Sequence, residues 1–109
     1  MIIAWTTTAN RTDAEMLARG AVEARLAVCA QVDGPITSHY QWEGKPEMAE
    51  EFRIWFKCLP ANASALSLWV HARHPYSTPQ WIEVAAEGVG EKYLSWAIAN
   101  STSAPFPTR

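Results

Sequence analysis

The sequence predicts an α+β domain of the ferredoxin-like class. Its expected order is β-α-β-β-α-β, an antiparallel sheet with helices on one face, followed by a short C-terminal helix. Three observations carry that expectation. Apolar residues recur at two-residue spacing in some segments and at three- and four-residue spacing in the segments between them. A Gly-containing turn, Glu43-Gly44-Lys45-Pro46, joins two long alternating runs into a hairpin. The length of 109 residues suits one hydrophobic core and would leave two cores marginal, so residues 1–109 are read as a single domain.

The elements follow in order. Ile2 to Thr8 is rich in β-branched and aromatic residues and reads as a strand that breaks at Asn10-Arg11. Thr12-Asp13-Ala14-Glu15 has capping-box spacing, and Leu17, Ala18, Ala21, Val22 and Arg25 make one stripe of a helix over about 12–26. From Ala27 the period changes to two. Val28, Ala30 and Val32 alternate with Cys29 and Gln31, Gly34-Pro35 bends or bulges the strand, and Ile36, Ser38 and Tyr40 resume it. After the turn, Phe52, Ile54, Phe56 and Cys58 face the helices while Arg53, Trp55 and Lys57 face away. Asn62 or Ser64 caps a second helix with a stripe of Leu66, Trp69, Val70 and Arg73. It ends near His74, because the residue before Pro75 disfavours the α region. Trp81 to Ala86 is a last strand, with Ile82, Val84 and Ala86 assigned to the helix side and Trp81 and Glu83 to the other. Glu91 to Asn100 is a short helix using Leu94, Ala97 and Ile98, and residues 101–109 read as a loose tail.

Composition narrows the function classes. Hydrophobic residues at 49% and charged residues at 18% describe a globular chain, not a disordered one. A formal charge of -2 and a pI of about 5.9 argue against a nucleic-acid partner. No apolar run is long enough to span a membrane, and Met1 to Trp5 lacks the basic start of a secretory signal. Cys29 and Cys58 do not make a disulfide framework, and a cytoplasmic protein is expected.

The six tryptophans need a location. Alternation puts Trp5, Trp55 and Trp81 on the sheet face opposite the helices, and Tyr40 and Trp42 near the hairpin tip. A contiguous aromatic patch of this kind exceeds what a monomer usually exposes. The expectation is a homo-oligomer that buries Trp5, Tyr40, Trp42 and Trp55 at its interface.

Few groups carry chemistry. His71 and His74, three apart on a helix, could approach one ion or could complement the helix dipole; His39 reads as structural. If the hairpin turns about Gly44-Lys45, Cys58 pairs near Gln31 and Cys29 becomes its same-face neighbour. Two thiols placed so could share a soft ion such as Cu(I) or could be inert core residues, and a bulge at Gly34-Pro35 would separate them. There is no Ser-His-Asp order, Gly-rich phosphate loop or CxxC, so no enzyme is expected.

At these residues the chain resembles the CutA family of divalent-cation tolerance proteins. The matching stretches are Ala24 to Ala30, Ser38-His39-Tyr40-Gln41-Trp42-Glu43-Gly44-Lys45, Glu50-Glu51, Lys57, His74-Pro75-Tyr76-Ser77-Thr78-Pro79 and Tyr93-Leu94-Ser95-Trp96. The resemblance implies a ferredoxin-like homotrimer similar to PII signalling proteins, cytoplasmic residence, and tolerance of copper and other divalent metals. Gln80 departs from the family's usual Glu, and Cys58 from its common Thr.

On that resemblance the expected metal ligands are His74, Cys29 and Glu51, for Cu²⁺ or another divalent cation, with no organic cofactor. Lys45, Lys57, Tyr76 and Trp96 are candidates for lining a ligand cleft. An alternative is a PII-like sensor in which Lys45, Lys57 and His74 gather a small anion or nucleotide; another is a scaffold that displays the acidic hairpin to a protein partner. Partners are then other copies of the chain and metal ions, with no nucleic acid and no membrane. The buried-interface reading makes Trp55→Ala cost about 3–5 kcal/mol in denaturation, with the wild type sedimenting as an oligomer at micromolar concentration. A small cost would place Trp55 in solvent.

Overall fold

The computed structural model describes residues 1–102; the expected tail lies, beyond Thr102, outside the described residues. The chain runs β1 (Ile2–Thr8), α1 (Arg11–Glu23), β2 (Cys29–Trp42), β3 (Lys45–Cys58), a 3-10 turn (Pro60–Asn62), α2 (Ala63–Arg73), β4 (Ile82–Ala85) and α3 (Glu91–Asn100). The four strands form one antiparallel sheet in the order β2-β3-β1-β4, the arrangement that the sequence predicts.

Helix α1 starts one residue earlier than expected and has a different cap. Asn10, not Thr12, accepts the Asp13 backbone N–H on its side chain at 2.8 Å. The helix ends at Glu23 because Arg25 takes a left-handed conformation (φ 61°), so Arg25 leaves the stripe and Val22 turns to solvent. Ala14, Leu17, Ala18 and Ala21 of α1 pack with Leu66 and Val70 of α2 on Ala4, Ile54, Phe56 and Cys58 of the sheet. At α2 the N-cap position is Asn62, buried and without a capping bond. In α3, Ala97 is buried but Ile98 is exposed, contrary to the expected stripe.

The hairpin turns on Glu43-Gly44, one residue before the expected centre. Trp42 pairs with Lys45, and both turn residues have positive φ (51° and 78°), as a two-residue turn matched to strand twist requires. A bulge then interrupts β2 between Asp33 and Ile36. Gly34, at φ 141°, is held there by space as well as conformation. A Cβ would lie 2.8 Å from the Phe52 ring and 3.0 Å from the Glu51 carbonyl oxygen.

The bulge separates the cysteines. Cys29 pairs with Lys57 on the open sheet face, whereas Cys58 is fully buried on the helix face, its thiol pushed up to about 12 by desolvation. The same-face arrangement that would let them share an ion does not form.

Strand β4 also corrects the expected facing. Ile82 pairs with Trp5 and Val84 with Ile3, so both aliphatic residues lie on the open face, and Glu83 pairs with Ala4 on the helix side. The cause is Trp81. Its ring covers the end of the core against Phe56 (centroids 5.8 Å apart) and His71 (5.7 Å), and its indole N–H donates to Glu83 at 2.8 Å. Filling that gap with an indole decides the phase of a short edge strand. The open face therefore carries Ile3, Trp5, Trp55, Ile82 and Val84, with Trp5 edge-on to Trp55 at 4.9 Å and Arg53 stacked over the Trp55 ring at 5.0 Å.

The helices meet at Gly20, where a Cβ would stand 2.5 Å from the Trp69 ring. Alanine favours a helix interior over glycine by about 1 kcal/mol, but overpacking costs about 1–3 kcal/mol. Gly20→Ala is therefore expected to lower stability in urea denaturation, and the loss should vanish in a Trp69→Leu background.

Candidate functional site

The bulge builds the site. Before it, Cys29, Gln31 and Asp33 share the open face with Lys57, Trp55 and Arg53; after it the phase inverts, and Ile36, Tyr40 and Trp42 face the same way as Glu51, Glu47 and Lys45. Together with the 76–80 segment they enclose an open cleft of about 770 Å³ whose wall includes Tyr40, Trp42, Glu51, Arg53, Tyr76 and Gln80.

The segment 74–80 is held by His74 and Tyr76. His74 ends α2 in an extended conformation, as its place before Pro75 demands. Its Nδ1 accepts the Tyr76 backbone N–H at 3.1 Å, so its proton sits on Nε2, which faces the Thr7 carbonyl oxygen and Thr6 Oγ1, each at 2.9 Å. Burial lowers the His74 pKa, against the opposing pull of the Thr7 carbonyl, and keeps the ring neutral. Tyr76 packs on the imidazole (centroids 5.0 Å apart) and its hydroxyl donates to Glu51 at 2.9 Å. Desolvation first, then the Glu51 carboxylate, raises the Tyr76 pKa, so the phenol stays a donor.

Arg53 reaches the cleft already engaged. It grips Asp33 through two bonds of 2.7 and 3.2 Å, and the hydrogen bond from Arg53 is the first cause of the lowered Asp33 pKa. No ion pair among the described residues reaches Glu51. The cleft thus presents one carboxylate without an ion-pair partner among aromatic rings, hydroxyls and His39.

The expected metal ligands are only partly brought together. Glu51 and His74 meet through Tyr76, but both imidazole nitrogens face protein partners. Cys29 stands opposite Lys57, six residues along β3 from Glu51, about 20 Å away at strand spacing. Among the described residues no three His, Cys, Asp or Glu side chains converge on one point.

The cleft candidates divide similarly. Tyr76 lines the cleft. Lys45 is at the turn, and Lys57 donates to Gln31 at the other end of β3, about 40 Å from Lys45, so one chain does not gather them with His74 around an anion. Trp96 lies on α3, stacked on Tyr93 at 5.4 Å; burial and the Cys29 thiol beside it raise the Tyr93 pKa. Of the aromatics assigned to an interface, Tyr40 (45% exposed) and Trp42 (50%) line the cleft, while Trp5 and Trp55 form the edge-on pair. Arg53, Asp33 and Thr7 belong to the cleft region without having been singled out from the sequence. The cross-strand register that joins them is visible only once the bulge is located.

His74 supplies a pH test. Its folded pKa lies below the ordinary 6.5, so between the two values the unfolded state binds more protons. The stability it contributes is complete above about pH 6.5 and is lost as pH falls below it. His74→Gln keeps a donor toward Thr7 but does not titrate. The stability difference between wild type and variant should shrink on acidification, read from denaturation midpoints across pH 5–8.

Comparison with known proteins agrees with this architecture. The family described as CutA1 divalent ion tolerance protein matches residues 2–100. A protein named CutA homolog from Xenopus laevis is 39% identical over 93 residues, covering 85% of this chain and 62% of its own. The chloroplastic CutA of Arabidopsis thaliana is 34% identical, covering 93% and 55%. The chain therefore spans a little over half the length of these relatives. A divalent-cation tolerance protein CutA of Yersinia pestis is 31% identical, covering 91% and 83%. Among crystal structures, CutA1 of Oryza sativa superposes with a TM-score of 0.90 at 29% identity, covering 94% of each chain, and CutA1 of Pyrococcus horikoshii with 0.89 at 29%, covering 94% and 100%. With the profile spanning almost all described residues and the fold matching at this level, the chain belongs to the CutA1 divalent ion tolerance family.

Proposed function

We propose that the chain acts as a homotrimeric, non-catalytic protein of divalent-metal tolerance in the cytoplasm, taking its cation at the cleft beside Glu51, where copies meet. The observation that carries this reading is the Glu51 carboxylate, which has no ion-pair partner among the described residues. It is fixed by Tyr76 on one oxygen, and the nearby Arg53 guanidinium is tied to Asp33. One carboxylate is fewer donors than a divalent ion takes, so a neighbouring copy completes the set. The apolar open face around Trp5, Trp55, Ile82 and Val84 is the surface that brings such a copy into place. Copper is preferred through the general affinity order of divalent ions, without a dedicated cage. Membership of a family described by divalent ion tolerance, and relatives named for it, support the ligand class.

Within this reading His74 positions the cleft wall and Glu51 binds. Cu²⁺ titration by calorimetry is expected to show Glu51→Gln weakened tenfold or more, with His74→Gln keeping the wild-type stoichiometry. Equal binding by wild type and Glu51→Gln would move the site elsewhere. Loss of binding in His74→Gln alone would make the imidazole a ligand.

A further inference from the structure

We propose that the outward face of the β2–β3 hairpin carries a second, separate site for a soft monovalent cation, Cu⁺ or Ag⁺, held between the His39 imidazole and the Met48 thioether. Strand register places these two donors. β1 pairs with β3 only as far as Phe52, so from Glu51 outward the hairpin continues as a two-stranded ribbon with two faces of its own. One face turns Tyr40, Trp42 and Glu51 to the cleft. His39 borders the cleft, but alternation with Tyr40 turns its side chain to the other face, where it stands directly opposite Met48. Directly opposed residues of an antiparallel pair have Cβ atoms about 4.5–5.5 Å apart. A ring nitrogen and the sulfur of an unbranched, flexible side chain can reach a common point across that gap.

Both donors are available. Met48 is 66% exposed, the highest value among the exposed large apolar residues described, so its sulfur meets solvent. His39 is exposed as well, and among the described residues no hydrogen bond engages its ring. The other two histidines are engaged, His71 with Ser67 and His74 with Thr7 and the Tyr76 backbone N–H. Glu50 lies on the same face as Met48, opposite Thr37 and diagonal to His39, and no ion pair among the described residues occupies it. Its carboxylate adds attraction for a cation. The donor types set the class of ion. Thioether sulfur is soft and selects Cu⁺ over oxygen-seeking ions such as Mg²⁺ and Ca²⁺, and imidazole also suits copper. A monovalent d10 ion is satisfied by a small donor set, so a facing His–Met pair suffices.

Silver nitrate serves as the redox-inert probe, titrated in chloride-free buffer into the full chain carrying Cys29→Ser, so that the half-buried thiol does not compete. Methyl and imidazole NMR signals are followed. Saturable shifts of the Met48 methyl and the His39 ring are expected, with none from magnesium nitrate. Met48→Leu and His39→Gln, both at exposed positions outside the core, should each weaken Ag⁺ binding by about 10-fold or more. Met16 is the internal control: it is 47% exposed on α1, and its helix neighbours Thr12, Asp13, Arg19 and Gly20 offer no imidazole. Parallel shifts of Met16 and Met48 would reduce the effect to any exposed sulfur and overturn the proposal, as would unchanged affinity in either variant. Glu51→Gln should leave Ag⁺ binding intact, and Met48→Leu should leave Cu²⁺ binding intact, so failure here and failure of the Glu51 reading are distinguishable. Loss of Ag⁺ binding in Glu51→Gln would overturn the separateness of the site.

Discussion

The site depends on one irregularity in β2. Without the extra residue between Asp33 and Ile36, strand alternation would carry Gln31 and Asp33 to the opposite side of the hairpin from Tyr40, Trp42, Glu51 and Arg53. With it, a single strand presents Gln31 and Asp33 before the bulge, and Tyr40 and Trp42 after it, to the same face. Gly34 makes the irregularity possible, since its positive φ and the adjacent Phe52 ring exclude a side chain. The pairing of Asp33 with Arg53 beside the cleft and the isolation of Cys29 from Cys58 follow from that placement.

A second constraint is the junction after α2. Pro75 forces His74 out of the helix, and the imidazole then uses both nitrogens to bind the loop to β1. A histidine beside a carboxylate invites reading as a metal ligand. In this one, both ring nitrogens are engaged within the chain, by the Thr7 carbonyl and the Tyr76 backbone N–H. The imidazole sets where Tyr76 stands, and Tyr76 sets where Glu51 points. The charged groups sort in the same manner. Arg53 is consumed by Asp33 and Trp55, and Lys57 by Gln31, which leaves the carboxylate.

Much of this was legible in the residues. The two periods, the hairpin turn and the Pro75 stop located every strand and helix to within a few residues, and the motif His74-Pro75-Tyr76 marked the loop that walls the cleft. The helix-facing set Ile54, Phe56 and Cys58 was read correctly because each sits in a long strand whose alternation is unbroken. Strand β4 was not, because four residues offer too little periodicity to outweigh the packing of one indole. The cap of α1 was misplaced because Asn10 and Thr12 are both good caps, and only backbone direction chooses between them.

The sequence by itself determined the order of elements, the family and the residues around which a site is built, because periodicity, turn chemistry and motif spacing are local properties of the chain. Only the tertiary structure decided which of those residues meet. Register across β2 and β3 depends on a one-residue turn offset and a bulge. A shift of one residue exchanges the two faces of a strand, so Cys29 lies opposite Lys57 and remote from Glu51, while Tyr76 reaches Glu51 by a hydrogen bond and Tyr40 and Trp42 line the same cleft.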